Sequence, residues 1–494
     1  MWCRGRSGGS CFGLLAASST AYLVGLWQGA MLCGKFGKPE SLGGSAEPMD
    51  GDDAPKSFDS VSPTQEEVSL DEVSSGEHKE ALPLPTSNEG DAEERVEKGC
   101  RQFETVAFPL DGWPTAVRAE SGQSLYGTGW AQQLLRSHQF PENCSGRNFV
   151  EHGMFQSGMG SNMHIGAAVL AFALNENSIY LWPEDDVYNP WTVGSTSHSV
   201  ADCPNGRALR NYECYLKPVS SCKANGGGSR YVGMKRERGK KKIPGTDLVP
   251  RVFKTLLKCS GYPSNYWPKW WRAQATAFFL RPNQETALEL QRFRESHLVN
   301  QMQDGVLGCY VRHGDKYYEA SEYPFKDYLR IFSWILDGDK EVQRNCPGAS
   351  KLLEPFKWQL PRLRTDKLYL GSDDAAVVEE ARHKFGEKLI WMNVSRLSKR
   401  MSLMKVSKAL GAKEVVMESL LNLQLLMESD AFLCTWTSNW CRLVDEMRMT
   451  AGTPVGDATA KVGMKATHLS LEVNRHCPRF NWVHGNGADT PDFR

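Results

Sequence analysis

The second half of this 494-residue chain alternates between short apolar runs and helical patterns, and that alternation limits the possible folds more than any other feature. Runs typical of strands lie at Val306–Val311, Lys367–Gly371, Leu389–Val394 and Ala431–Thr435. Helical patterns begin at Ala375 and cover Glu414–Met427 and Ser438–Met449. Strands that alternate with helices indicate an α/β fold with a parallel sheet of Rossmann type.

The first half of the globular region is expected to form a separate lobe. It contains apolar runs at Ile165–Leu174 and Ile179–Trp182 and an aromatic patch at Tyr266–Trp271. The basic run Lys235–Lys242 lies between these segments. We interpret this run as a solvated loop, because blocks of like charge are usually exposed, with a phosphate or nucleic-acid patch as the alternative.

The N-terminal region has the composition of a membrane anchor followed by a spacer. No charged residue occurs from Ser7 to Gly34, and the apolar centre, residues 12–32, is long enough to cross a bilayer. A cleaved signal peptide is the alternative. Residues 39–97 carry 17 acidic and 3 basic residues, which predicts a disordered stem. The rest of the chain is correspondingly basic and suits an anionic ligand.

These patterns divide the chain into five regions. They are a cytoplasmic tail and signal anchor (1–38), an acidic stem (39–99), an N-terminal lobe (100–303), a Rossmann-like lobe (304–470) and a C-terminal tail (471–494).

Three polar clusters follow strands of the second half, where ligands bind in open α/β sheets. They are Tyr310–Lys316, Gly371–Asp374 and Cys434–Arg442. Thr437 and Ser438 are suitable N-caps for the helix that follows, and a free helix N-terminus attracts anions. The planar guanidinium of Arg312 matches phosphate oxygens. The clusters therefore predict a phosphate site. Asp373-Asp374 and Glu184-Asp185-Asp186 are also suitable for Mg²⁺, and a solvated turn is the other interpretation of Asp373-Asp374.

In this order the clusters resemble the three motifs of the α1,6-fucosyltransferases, glycosyltransferase family 23. The segment Gly158–His164 is similar to the Gly-rich turn that precedes the first helix of that family. Val219–Cys222, Trp270-Trp271 and Arg281-Pro282 also fit, so that the resemblance runs from about Cys144 to Met449.

The resemblance implies a two-lobed, GT-B-like fold and an inverting transfer of fucose from GDP-fucose without a metal ion or other cofactor. It implies that Arg312 binds the β-phosphate and that Glu319 is the general base with Lys316 as its proton relay. This sequence has one residue fewer than the family between Lys316 and Pro324. Glu319 matches the family base only if the missing residue lies before it, and otherwise Glu322 takes that role. The remaining donor-binding residues that it suggests are Gly160, Tyr188, Tyr310, Asp374, Asn422, Ser438 and Asn439.

The resemblance also implies disulfides, an acceptor and a location. It pairs Cys434 with Cys441 and Cys144 with Cys222, whereas Cys203 with Cys214 is suggested by proximity alone. The expected acceptor is the core GlcNAc of N-glycoproteins, and the expected location is the Golgi membrane as a single-pass type II protein without nucleic-acid partners. A transferase acting on protein hydroxyls or another oligosaccharide, or a non-catalytic glycan-binding protein, is the alternative.

The sequence departs from the family pattern in several places. By comparison with animal members we expect no SH3-like domain after Met449, and no coiled-coil dimer because the acidic spacer has no heptads. Tyr310 stands where the family has His, and Asn422 where it has Asp. An amide offers guanine one acceptor oxygen instead of two, so GDP is expected to bind more weakly, and Asn422→Asp to tighten binding by about 1 kcal/mol. Glu418, one helical turn earlier, is the alternative carboxylate.

Overall fold

The computed structural model contains the parallel sheets that the sequence predicts. It describes residues 125–152, 158–182, 212–223, 230–232, 235–237, 240–242, 249–296, 306–314, 322–337, 367–396, 403–450, 469–472 and 479–480, and the single residues 100, 103, 113, 203, 302, 340 and 344. Residues Leu84–Arg494 belong to one compact unit. Among the described residues no helix has the length and apolar character needed to cross a membrane, and the predicted anchor, 12–32, lies outside them.

The N-terminal lobe is built around a three-stranded parallel sheet. Its strands are β1 (Phe149–Glu151), β2 (Ile179–Leu181) and β3 (Arg230–Tyr231), and β1 is central. The helices of this lobe are α1 (Thr128–Gln139), α2 (Met159–Asn175), α3 (Lys254–Cys259), α4 (Trp267–Phe279) and α5 (Gln284–Ser296).

Helix α2 is the centre of the N-terminal lobe. Thirteen of its 17 residues are buried, as expected for a helix whose sequence is apolar on every side. It contacts β1 and β2 on one side and α4 on another. The apolar run Ile165–Leu174 is therefore helical, and it begins only after the Gly158–His164 segment has already entered the helix.

The C-terminal lobe contains a six-stranded sheet, in the order β11-β10-β9-β6-β7-β8. All its neighbouring strands are parallel except β10 and β11. The strands are β6 (Leu307–Val311), β7 (Leu368–Ser372), β8 (Leu389–Trp391), β9 (Ala431–Cys434), β10 (Leu469–Glu472) and β11 (Arg479–Phe480). The helices are α6 (Phe325–Asp337), α7 (Ala375–Phe385), α8 (Leu403–Leu410), α9 (Ala412–Glu428) and α10 (Asn439–Thr450).

The two sheets confirm the α/β prediction, with one sheet in each half of the globular region. Strands β6, β7 and β9 are almost entirely buried, which is typical of a parallel sheet covered by helices on both faces. Strands β10 and β11 were not predicted, and they lie at the boundary at 470 and within the predicted tail.

Two local predictions were wrong. The basic run Lys235–Lys242 is an antiparallel hairpin of β4 (Lys235–Glu237) and β5 (Lys240–Lys242), not a loop. Strand β8 ends at Trp391, three residues earlier than predicted. Asn393 is consequently exposed instead of buried in a strand.

The three expected disulfides are present: Cys144–Cys222, Cys203–Cys214 and Cys434–Cys441. A fourth, Cys100–Cys259, was not predicted because nothing in the spacing of the two cysteines indicates a pair. It ties residue 100 to the C-terminal end of α3.

Candidate functional site

The first turns of two helices from different lobes meet at the candidate site. A Cβ atom on Gly160, in the first turn of α2, would lie 2.8 Å from the backbone nitrogen of Trp440 in the first turn of α10. Only glycine permits so close an approach of the two backbones. The Asn439 side-chain amide donates to the Ser161 hydroxyl at 2.8 Å and joins the same two turns. Gly160 and Asn439, which the resemblance suggests as donor-binding residues, are thus adjacent, and their contact with a donor stays a prediction.

Ser438 is the N-cap of α10, as predicted from sequence. Its carbonyl oxygen accepts the first intrahelical bond, from the Arg442 N–H at 3.2 Å, and its side chain is almost fully buried. Thr437 is exposed. The N-cap of α2, Gly158, has no side chain to accept from the helix. Two helix N-termini that point their positive dipole ends into one region can bind an anion there.

Arg312 follows β6 at the carboxyl edge of the large sheet. Its guanidinium forms an ion pair with Asp373, and both side chains are about one quarter exposed. Asp373 also accepts a hydrogen bond from the His313 N–H at 2.9 Å. Arg312 is therefore held at the strand end by a neighbour while part of it stays accessible to a ligand.

Asp374 is committed to the protein. Its Oδ1 accepts from the Ala376 N–H at 3.0 Å, which caps α7, and its Oδ2 lies 2.8 Å from His313 Nδ1. The carboxyl group is 4% exposed. The solvated-turn interpretation of this residue was wrong, and the geometry gives no support to its predicted contact with the donor.

His313 bonds to Tyr323, so the two ends of the segment between them, which carries the predicted base Glu319, are held together. Its Nε2 donates to the Tyr323 carbonyl oxygen at 2.9 Å, so the chain just before α6 is held against the end of β6. Glu322 is half-buried beside Tyr323. Lys316, Glu319 and Tyr188 lie outside the described residues, and their roles stay predictions.

Tyr310 and Asn422, the two predicted nucleotide-base residues, both lie against Gly371. A Cβ atom on Gly371 would lie 2.6 Å from Asn422 Oδ1 and 2.7 Å from Tyr310 Cδ2. The Tyr310 ring also contacts the Trp440 ring, with centroids 5.8 Å apart, and so connects this pocket to the start of α10. The predicted base pocket and the predicted phosphate site are therefore adjacent.

Asn422 is not a solvated residue of a helix face. Its side chain is 4% exposed, its Oδ1 accepts from the Tyr369 hydroxyl at 2.7 Å, and its Nδ2 donates to the Glu418 carbonyl oxygen at 3.0 Å. The Oδ1 atom of Asn422, which was expected to accept from guanine, therefore already accepts a hydrogen bond within the protein.

Glu418 and Arg396 are the charged groups around this pocket. Burial raises the pKa of Glu418 to about 7, and the Arg396 charge opposes the increase. The Arg396 guanidinium donates to the carbonyl oxygens of Ser372, Met392 and Val394 and so joins the ends of β7 and β8. Sequence reasoning missed Arg396, because a lone arginine after a strand carries no motif.

A buried ionic network attaches α10 to the N-terminal lobe. Glu446 is fully buried; its Oε2 lies 2.9 Å from His164 Nε2 of α2, and its Oε1 accepts from Arg272 of α4 at 2.9 Å. Burial alone would raise the pKa of Glu446, but the charges and hydrogen bonds of His164 and Arg272 lower it to about 2. On the same face of α4, Lys269 pairs with buried Asp445 at 2.8 Å.

This network fixes the two helix starts that form the candidate anion site. Helix α10 belongs to the C-terminal lobe by sequence, yet it packs against α2 and α4 of the N-terminal lobe. The ion pairs through Glu446 therefore hold α10 against α2, the two helices whose first turns meet at Gly160 and Asn439. Nothing in the sequence indicated this, because helical spacing alone does not tell which charged residues face another lobe.

Parts of the chain are similar to known proteins. No protein-family model matches the chain. The α-(1,6)-fucosyltransferase of Drosophila melanogaster is 27% identical over 208 residues, which cover 41% of this chain and 28% of that protein. The match thus spans little more than a quarter of the length of that protein.

Solved structures give a weaker likeness. The NodZ fucosyltransferase from Bradyrhizobium has a TM-score of 0.32 at 13% identity, covering 68% of this chain and 98% of that one. FUT1 of Arabidopsis thaliana in complex with GDP has a TM-score of 0.31 at 12% identity, covering 72% and 77%. POFUT1 in its apo form has a TM-score of 0.31 at 12% identity, covering 63% and 98%. Superpositions at this level carry no information about function.

Proposed function

We propose that this protein is a fucosyltransferase that moves fucose from GDP-fucose to the core GlcNAc of N-glycans in α1,6 linkage, with inversion and without a metal ion. The observation that carries the proposal is the anion site, where the first turns of α2 and α10 meet at the carboxyl edge of a parallel sheet. A departing nucleoside diphosphate needs such a charge sink when no metal is present.

The residues are assigned in the following way. The first turns of α2 and α10 and Arg312 bind the diphosphate, and Tyr310 contacts the base. Lys316 and Glu319 remove the proton of the acceptor hydroxyl, which attacks the anomeric carbon as GDP departs on the opposite face. The partial match to an α-(1,6)-fucosyltransferase supports the transfer of fucose and the linkage.

The first experiment is a donor screen with a matched pair of glycine variants. The protein is incubated with GDP-fucose, GDP-mannose and UDP-GlcNAc, and release of free nucleotide is measured with and without EDTA. Gly160→Ala is expected to abolish GDP binding, because its Cβ would separate the two helix starts. Gly158→Ala has open space and is expected to have a smaller effect. Preference for another donor, or loss of activity with EDTA and recovery with Mg²⁺, would contradict the proposal.

The acceptor is tested separately. A neutral N-glycan with an accessible core GlcNAc, a folded protein with serine and threonine hydroxyls, and a free oligosaccharide are offered with labelled donor. The product is analysed for linkage by mass spectrometry. Transfer to the protein hydroxyls alone would assign the chain to a different acceptor class, and binding without transfer to any of them would indicate a glycan-binding protein.

We also propose that the protein is a single-pass type II protein of the Golgi membrane with its lobes in the lumen. Asn143 and Asn393 stand in Asn-X-Ser sequences and are both exposed, so both are open to glycosylation. The test is the shift in mass on treatment with an endoglycosidase, together with extraction of membranes at alkaline pH. An unglycosylated protein in the cytosol would contradict this location.

A further inference from the structure

A large cleft lies at the edge of the small sheet opposite the candidate donor site. Its volume is about 840 Å³, within the range of ligand-binding pockets. The loop 143–148 and the start of β1 form one wall, and residues 176–178, which precede β2, contribute to another. Because β1, β2 and β3 are parallel, the cleft lies at their N-terminal ends, whereas the donor is expected at the carboxyl ends.

Three cationic side chains line this cleft: Arg147, Lys223 and Arg230. Glu176 is the one acidic residue among the lining residues. No ion pair joins the three cations to an acidic residue within the described part of the chain. Three positive charges around one cleft repel one another, and an anion placed between them would relieve that repulsion.

Contacts within the fold fix the positions of the segments that carry these three cations. The Cys144–Cys222 disulfide joins the loop that carries Arg147 to the residue before Lys223. Arg230 pairs with Val150 in the register of β3 and β1, and its guanidinium lies 5.1 Å from the centroid of the Phe172 ring. Three separate segments are therefore fixed so that their charges face one space.

The charge of Arg147 also acts on the interior beside the cleft. The pKa of His138 is lowered, chiefly because the ring is buried. The hydrogen bond to the Ser178 carbonyl oxygen raises this pKa, and the Arg147 charge adds to the lowering.

We propose that this cleft is a second binding site, which takes an acidic oligosaccharide through its carboxylate or sulfate groups. The hydroxyl of Ser145 and the amide of Asn148 line the same space, are exposed, and suit sugar hydroxyls. The choice of an oligosaccharide rests on the proposed function, in which glycoproteins are the acceptors. The site would then select or retain glycoproteins that carry acidic chains, at a distance from the reacting centre.

The test is a binding measurement that needs no donor. Because Asn143 is a glycosylation candidate and also lines the cleft, the full chain is used without N-glycans. Titration calorimetry uses a sulfated heparin-derived tetrasaccharide, a sialylated trisaccharide and the neutral form of that trisaccharide. The variant Arg147→Gln/Lys223→Gln/Arg230→Gln is compared with a control, Lys258→Gln/Arg292→Gln/Lys384→Gln, which removes three exposed cations elsewhere. The triple cleft variant is expected to bind the acidic probes at least tenfold more weakly, and the control is expected to bind as the wild type does. Raised salt should weaken wild-type binding.

The two acidic probes distinguish the sources of the anion, since tighter binding of one identifies sulfate or carboxylate. Equal binding of the neutral trisaccharide, absence of binding by both acidic probes, or binding unchanged in the cleft variant would overturn the proposal. An unaltered thermal unfolding midpoint excludes misfolding as the cause. A protein that binds acidic probes in this way but releases no GDP from GDP-fucose would refute the proposed transferase activity and leave the binding site in place.

Discussion

Replacing Glu446 with glutamine tests whether the buried ionic network positions the anion site. The carboxylate is fully buried and accepts from His164, Arg272 and the Thr276 hydroxyl, the last at 3.2 Å. Glutamine keeps the shape but removes the charge, so Arg272 and His164 lose their common counter-ion. Breaking a buried pair in this way costs about 3–5 kcal/mol.

The pKa of Glu446 gives an independent magnitude. The ordinary value is 4.5 and the folded value is about 2, and each pKa unit corresponds to about 1.4 kcal/mol. The ionised carboxylate therefore contributes about 3 kcal/mol to stability. Because the folded pKa is lowered, this contribution is present above pH 4.5 and is lost as the pH falls towards 2. The variant should lack this part of the acid dependence.

Two assays check the prediction, and one control accompanies them. Urea unfolding at pH 7 and pH 3 gives the free energy of unfolding, and calorimetry gives the affinity for GDP. Glu446→Gln is expected to lose about 3 kcal/mol at pH 7, less at pH 3, and to bind GDP more weakly because α10 is no longer fixed against α2. Glu379→Gln removes a half-exposed pair with Arg382 and should cost less than about 1 kcal/mol. Unchanged GDP affinity in a clearly destabilised Glu446→Gln would refute the positioning role.

Three further predictions concern the site itself. Arg312→Lys should reduce transfer by about 10²-fold or more, measured as kcat, since a point charge cannot replace a planar fork at a phosphate. Glu319→Gln should lower kcat by about 10²–10⁴-fold with GDP affinity retained, and the same result for Glu322→Gln in its place would move the base to that residue. Burial raises the pKa of Glu418 to about 7 from 4.5, so this residue favours the folded state below pH 4.5 and progressively less as the pH rises through 7. Glu418→Gln should therefore unfold at the same temperature as the wild type at pH 4 and at a higher one at pH 8, and an equal difference at both pH values would contradict this sign.

Most strands and helices of the C-terminal lobe could be predicted, because each is short, apolar and followed by a polar turn. Strand β6 was predicted from Val306 and begins at Leu307, and α9 was predicted as Glu414–Met427 and spans Ala412–Glu428. The hairpin at Lys235–Lys242 could not be predicted in this way. Its residues carry no period of two in hydrophobicity, and two of the three pairs in its register, Lys235 with Lys242 and Arg236 with Lys241, place like charges opposite each other, which is ordinarily unfavourable.

The candidate site could be predicted as a set of residues but not as a set of contacts. Motifs indicated that Gly160, Arg312, Ser438 and Asn439 serve one ligand, and the fold brings Gly160 and Asn439 into contact. Motifs could not indicate which polar atoms are already used within the protein. Asp374 is a carboxylate in a turn after a strand, which is typical of a ligand-binding residue, yet both its oxygens accept hydrogen bonds from the chain. Whether a polar atom is bonded within the protein depends on its neighbours in the folded structure, and the surrounding sequence does not identify those neighbours.

Asn422 shows how far this difference changes a prediction. From the sequence, Asn422→Asp should tighten GDP by restoring a carboxylate opposite guanine. In the structure, Asn422 Nδ2 donates to the Glu418 carbonyl oxygen at 3.0 Å, and a carboxylate has no hydrogen to donate. The substitution would place a buried charge against that oxygen, while Tyr369 continues to donate to the other side of the group.

We therefore expect Asn422→Asp to lower the free energy of unfolding by about 1–3 kcal/mol, the cost of a buried polar group without a partner, and to leave GDP affinity unimproved. Tyr369→Phe is the companion variant, because it frees the acceptor oxygen of Asn422 and leaves the bond to Glu418 intact. If the oxygen of Asn422 faces guanine once Tyr369 releases it, Tyr369→Phe should tighten GDP. Urea unfolding and calorimetry on both variants decide the matter. Tighter GDP binding by Asn422→Asp without loss of stability would mean that the introduced carboxylate reaches the base, and that the bond from Tyr369 does not hold the side chain in place when the nucleotide binds.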